Sequence, residues 1–175
     1  VHTDDNGVSQ TLLAGIEVDA GEVVDTAFMS VEALRRFYDE QLQEAKEQDV
    51  LWSLHLKATM MKVSDPILFG HAVKAYYAAA IEKHREVLES LRVDFNNGIG
   101  DAYEKLDSLP DHLSRQVKQD LDACLHSGPQ LAMVNSDKGI TNLHVPSDII
   151  VDASMPAAIR DSGKMWNPVG DLQDM

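Results

Sequence analysis

The sequence predicts an α/β fold, a sheet layered with helices, and three observations carry that expectation. Apolar and polar residues alternate over 50–58 as they do in a half-buried strand. Apolar residues recur at three- and four-residue steps from Val31 to Ala45, after Pro66 and again after Pro110, the spacing of amphipathic helices. Two short runs, 131–134 and 149–153, are apolar and rich in β-branched residues, which suits buried strands. Strands interleaved with longer helices are the pattern of a sheet covered by helices.

The first helix is marked by Val31, Leu34, Tyr38, Leu42 and Ala45, with Ser30 as its N-cap. In the strand that follows, Val50, Trp52, Leu54, Leu56 and Ala58 share one face, and Ser53, His55 and Lys57 share the other. Asp65-Pro66 reads as a helix start, since proline at the first helical position loses no hydrogen bond. One long helix is expected from there, with Phe69, Val73, Tyr76, Ala80, Val87 and Leu91 on its buried stripe. Val93-Asp94-Phe95 suggests a short strand and 96–100 a turn. Pro110 separates a short helix from one striped by Leu113, Val117, Leu121 and Leu125, which Gly128-Pro129 ends. The polar stretch 135–147, punctuated by Gly139 and Pro146, reads as a loop long enough to carry function. From Met165 onward no periodicity remains. Without repeats, low-complexity stretches or a break in composition, residues 1–175 read as a single domain unit.

Fifteen Lys and Arg against twenty-nine Asp and Glu give a net charge of −14. A field of that sign repels phosphate backbones and anionic lipid, and the basic residues are scattered, so nucleic-acid and membrane-surface roles are excluded. The longest apolar run, 75–81, falls far short of the ~20 residues that cross a bilayer. The lone cysteine, Cys124, leaves no internal disulfide and fits a reducing compartment, so a cytoplasmic location is expected. Because the first residue is Val1, the chain is expected to be processed or to be a piece of something longer.

Most chemical motifs dissolve on inspection. Asp94-Phe95-Asn96-Asn97-Gly98 starts like a calcium loop, but its glycine is fifth instead of sixth and Lys105 stands where a bidentate Glu is needed. Gly98-Ile99-Gly100 lacks the third glycine of a dinucleotide fingerprint, Tyr103 standing in its place. His84, on the apolar stripe, reads as a packed histidine with satisfied nitrogens, and Cys124 as a small core hydrophobe. Lys57 has two readings: a residue at a strand end, where α/β folds place their ligand crevices, or a solvated lysine protecting an edge. Asp152 closes the apolar run 149–151 and is either a paired or metal-bound carboxylate or an exposed turn residue.

Three strings nevertheless resemble a known family. Leu54-His55-Leu56-Lys57-Ala58-Thr59-Met60-Met61-Lys62-Val63-Ser64-Asp65-Pro66, the stretch from Ser136 through Asp148, and Val151-Asp152-Ala153-Ser154-Met155-Pro156-Ala157-Ala158-Ile159-Arg160 are similar to signatures of the monomeric, NADP-dependent isocitrate dehydrogenases of bacteria. The similarity runs in register over nearly the whole chain. Members of that family are several times longer, so the resemblance implies that 1–175 is part of the large central domain, a fragment of a larger multidomain enzyme. It implies oxidation of isocitrate by NADP, then decarboxylation to 2-oxoglutarate. Lys57 matches the family's proton-transfer lysine and Asp152 an aspartate that binds the catalytic Mg2+ or Mn2+. Lys62 is the rival lysine, without a defined polar face.

The family's enolate-protonating tyrosine, two further metal aspartates, its substrate-gripping Ser/Asn/Arg cluster and its NADP-binding segment have no counterpart here. The segment alone is therefore expected to be inactive and, with apolar surface uncovered, to self-associate, while the full-length parent is expected to be a monomer. The competing expectation is a non-catalytic acidic module that binds a metal ion or a partner protein through 135–147.

Overall fold

A computed structural model describes residues 1–25, 27–56, 64–146, 159–160 and 162–175. At the N-terminus β1 (His2–Thr3) and β2 (Ser9–Gln10) form an exposed antiparallel pair. The chain then runs over the surface, leaving Leu12, Leu13, Ile16 and Phe28 between 67 and 91% exposed.

α1 (Val31–Gln48) starts as expected: the Ser30 hydroxyl accepts a hydrogen bond from Ala33 N at 3.3 Å. It buries Tyr38, Leu42 and Ala45, and stops where Asp49 turns left-handed at φ 53°.

The single long helix expected after Pro66 is instead three, α2 (Asp65–Tyr76), α3 (Ala78–Lys83) and α4 (Arg85–Ser90). Hydrogen bonds from Ile81 N to Tyr77 O and from Leu88 N to His84 O, both 3.0 Å, carry the helical pattern across the joints, which are kinks more than ends. Both joint residues are buried, and His84 reaches out to α6 (Asp111–Ser127), with Nε2 2.6 Å from Asp120 Oδ2. The kinks advance the buried stripe, so Leu88 is core and Val87 only half-buried. His84 is thus packed and satisfied as expected, and Cys124 is buried on α6.

No strand forms at 93–95. Phe95–Asn97 is a 3-10 turn, because side chains take the backbone amides that a ladder would need: Asp94 Oδ1 accepts from Asn96 N at 3.0 Å and Asp101 Oδ2 from Asp94 N at 2.7 Å. α5 (Gly100–Leu106) follows, and α6 packs on α3 and α5 through Val117, Leu121 and Cys124.

β3 (Met133–Asn135) and β4 (Ile140–Thr141) are an antiparallel pair, so the loop expected at 135–147 is in part a hairpin, closed by a 3-10 turn at Ser136–Lys138. At the C-terminus, where the sequence shows no periodicity from Met165, β5 (Lys164–Trp166) pairs with β6 (Leu172–Asp174). Asn167 builds that turn: its Oδ1 accepts from Val169 N at 3.1 Å and Asp171 N at 2.8 Å.

The fold is mixed α/β as expected, but the described sheet is small: three two-stranded pairs and one parallel bridge, Trp52 to Leu131. Helices supply most of the core, around Phe69, Val73, Tyr77, Ile99, Leu106, Leu121 and Leu143. The strand expected at 149–153 lies outside the described residues.

Candidate functional site

Of the strand expected at 50–58, residues 50–56 are described, and the amides of Leu51, Trp52 and Leu54 go to three different partners. Leu51 N bonds Asp174 O at 2.8 Å, Trp52 N bonds Gln130 O at 2.8 Å, and Leu54 N bonds the Asn142 side chain at 2.6 Å. With no single neighbour there is no continuous ladder, and the expected two-faced burial is lost: Leu51 and Trp52 are both buried, and Ser53 through Leu56 are all half-buried.

His55 Nε2 lies 2.7 Å from Ser53 Oγ, and burial pulls the His55 pKa below its ordinary value, favouring the neutral ring. Both residues face a cleft of about 360 Å³ that Glu44 and Gln48 of α1 and Met175 also line.

On the far side of Leu54, Asn142 is only 5% exposed. Its own amide bonds Ala132 O at 2.8 Å, and Ala132 N bonds Trp52 O at 3.0 Å. Beyond it, the carbonyls of Leu143 and His144 accept from Ile99 N at 3.0 Å and Gly100 N at 2.8 Å. That occupation explains Gly98-Ile99-Gly100. The amides are already committed and cannot cradle a phosphate, and the glycines let two backbones touch: a Cβ on Gly98 would lie 2.2 Å from His144 O, and one on Gly100 2.8 Å from it. His144 stacks on Tyr103 with ring centroids 6.0 Å apart, and burial lowers its pKa. In the adjacent cleft, Asp101 pairs with Lys105 at 2.8 Å and Asp107 with Lys118, and Glu104 also lines it.

The two residues singled out from sequence, Lys57 and Asp152, lie outside the described residues, as do Lys62 and Asp148. Asp137 is described, on the turn Ser136–Lys138. Among the described residues no three His, Cys, Asp or Glu side chains gather closely enough to hold a metal ion. The structure does bring the first two strings together, since Leu54 opens one and Asn142 lies in the other. Sequence reasoning missed Asn142, because one asparagine in a polar loop carries no mark of burial. It also read the two glycines only as a turn, although their closeness was a signal for backbone contact.

The architecture of the described residues is that of a mixed α/β segment in which helices frame short strand pairs. Comparison with known proteins gives the particular family. The sequence model for monomeric isocitrate dehydrogenase matches residues 1–175, and the chain belongs to that family. It is 57% identical over 169 residues to an NADP isocitrate dehydrogenase of Azotobacter vinelandii, covering 97% of this chain and 23% of the relative. A Colwellia maris NADP isocitrate dehydrogenase is 55% identical over 87% of this chain and 21% of its own length, and one from Mycobacterium tuberculosis is 50% identical over 97% and 23%. The chain thus spans about a quarter of the length of the curated relatives it matches.

Proposed function

We propose that this chain supplies two groups to an NADP-dependent isocitrate dehydrogenase, Lys57 as a proton carrier and Asp152 as one metal donor. The match of residues 1–175 to a family whose relatives are named NADP isocitrate dehydrogenase carries this reading and favours it over an acidic binding module. The Leu54 to Asn142 hydrogen bond supports the pairing of the two groups, because it ties together the chain regions that lead to them.

In the proposed reaction isocitrate loses the C2 hydride to NADP+ and the hydroxyl proton to Lys57, the C3 carboxylate then departs as CO2 with its bonding electrons left on the substrate as an enolate, and the enolate takes up a proton at C3 to give 2-oxoglutarate. A lysine suits the proton step when its surroundings bring its pKa toward the working pH. A carboxylate is the right donor for Mg2+ or Mn2+, which take oxygen ligands. Such an ion, when bound, supplies Lewis-acid stabilisation of negative charge at the C2 oxygen. Since the described residues gather no complete donor set, Asp152 would be one ligand among several. The whole enzyme would work in the cytoplasm.

The test replaces the matching segment of the Azotobacter relative with this chain. In that frame Lys57→Met lowers kcat by about a hundredfold or more while Mn2+ affinity stays within about threefold. Asp152→Asn instead weakens Mn2+ binding by at least about tenfold, the loss seen when a group merely supporting a ligand is removed. Mn2+ binding unchanged by Asp152→Asn would end the metal assignment.

A further inference from the structure

We propose that Asn6 is a site of spontaneous covalent modification, its side-chain amide lost through attack by the Gly7 backbone nitrogen, and that the fold withholds the same reaction from Asn97. The inference does not depend on the function proposed above.

Asparagine followed by glycine occurs twice in the chain, at 6–7 and at 97–98. Glycine has no side chain to shield its amide nitrogen, and its backbone freedom lets that nitrogen swing onto the neighbouring carboxamide. In the reaction the Gly7 nitrogen bonds to Asn6 Cγ, the Cγ–Nδ2 bond breaks, and the leaving group departs as ammonia with the proton given up by the Gly7 nitrogen. Water then opens the succinimide ring at either carbonyl, yielding aspartate or isoaspartate. Only water is consumed.

Local geometry does not separate the two sites. Asn6 and Asn97 are both exposed, and each is the third residue of a turn: Gly7 N donates to Asp4 O at 2.9 Å and Gly98 N to Phe95 O at 3.0 Å. An aspartate braces each turn, Asp4 Oδ1 accepting from Asn6 N and Asp94 Oδ1 from Asn96 N, both at 3.0 Å. The glycines are alike too, with φ of 79° and 90°.

Their surroundings differ. Gly7 is exposed, and a Cβ built there would have nothing within 4 Å, whereas Gly98 is buried against the His144 carbonyl. The Asn6 turn joins β1 and β2, two residues each, and a lone two-stranded hairpin is only marginally stable in water, so a local opening frees the Gly7 nitrogen. For Gly98 N to reach Asn97 Cγ, its peptide must rotate out from beneath His144 and take the following residues with it. The bonds from Ile99 N to Leu143 O at 3.0 Å and from Gly100 N to His144 O at 2.8 Å are then lost. Each such bond lowers the open population by about fivefold, and the two together by about 25-fold. At Asn6 either product adds a negative charge beside Asp4 and Asp5, and isoaspartate also lengthens the backbone of the turn that sets the β1–β2 register.

The experiment incubates the full-length hybrid at mildly alkaline pH, folded in one arm and unfolded in concentrated urea in the other. Peptide mass spectrometry follows conversion of amide to acid, and the appearance of isoaspartate, at each site. In the folded protein Asn6 is expected to convert at least about tenfold faster than Asn97. In urea the two rates are expected to agree within about threefold, because both asparagines then precede glycine in open chain. A folded-state ratio below tenfold overturns the proposal, whether both sites convert or neither does. A tenfold ratio that persists in urea overturns it as well, since sequence and not the fold would then set the difference.

Discussion

Replacing Gly98 with alanine should destabilise the fold far more than an ordinary glycine replacement. Gly98 sits at φ 90° and ψ 176°, a backbone region open essentially only to glycine. The new methyl would stand 2.2 Å from His144 O, 2.7 Å from His144 C and 2.9 Å from Val145 Cα. All three are backbone atoms, so no side-chain rotation can make room. The stretch 143–145 must retreat and give up its bonds to Ile99 N and Gly100 N. Backbone strain of about 1–3 kcal/mol and two hydrogen bonds of about 1 kcal/mol each together cost about 3–5 kcal/mol. The matched control is Gly139→Ala. Its φ of 67° is left-handed and nothing lies within 4 Å of the added carbon, so strain alone costs about 1–2 kcal/mol. Urea unfolding followed by far-ultraviolet circular dichroism should place the Gly98→Ala midpoint well below that of Gly139→Ala. Equal midpoints with equal slopes would refute the claim that contact with His144 is what requires glycine here.

Two further outcomes follow from the helical layer. Tyr76 is buried and its hydroxyl donates to Pro129 O at 2.8 Å, so Tyr76→Phe strands that carbonyl and should lower stability by about 1–2 kcal/mol in the same urea assay, whereas an unchanged midpoint would show the bond to be idle. Lys83 and then His84 hold the Asp120 carboxyl below its ordinary value by hydrogen bonding. A carboxylate whose folded pKa is depressed stabilises the fold above the unfolded pKa, and that stability is lost as pH falls through the folded value. Asp120→Asn should therefore lower the urea midpoint at pH 7, and its gap to the parent should close below about pH 4. A gap that is the same at pH 7 and pH 3 would contradict the ionic contribution.

Local rules read the helices well because their information is local. Ser30 caps α1 as its hydroxyl suggested, α2 starts at Asp65, one residue before the Pro66 expected to open it, and Val117 and Leu121 lie on the stripe their spacing implied. The kinks at Tyr77 and His84 were not legible, since they accompany contacts made by residues distant in sequence, such as Asp120. The extended stretch at 50–56 shows the limit most clearly: its alternation implied one neighbouring strand, yet its amides are divided among Asp174, Gln130 and Asn142. At 93–95 the side chains of Asp94 and Asp101 outcompeted any ladder. For the candidate site, family resemblance singled out Lys57 and Asp152, and composition said nothing of Asn142. A buried polar residue becomes visible only when its partner, 88 residues away, is in place.

Those divided amides also set an order of events. Asp49 O and Asn142 Oδ1 accept from partners separated by 124 and 88 residues, Gln173 and Leu54 respectively, and closing such long loops must be paid in chain entropy before any contact repays it. During synthesis the helices α1 to α6 can form as they emerge, but the stretch around Leu51 has no complete set of partners until residue 174 has left the ribosome. Among the described residues, the stretch around Leu51 is therefore one of the late parts to consolidate, and the interval before it does is when the stretch is open to chaperones and proteases.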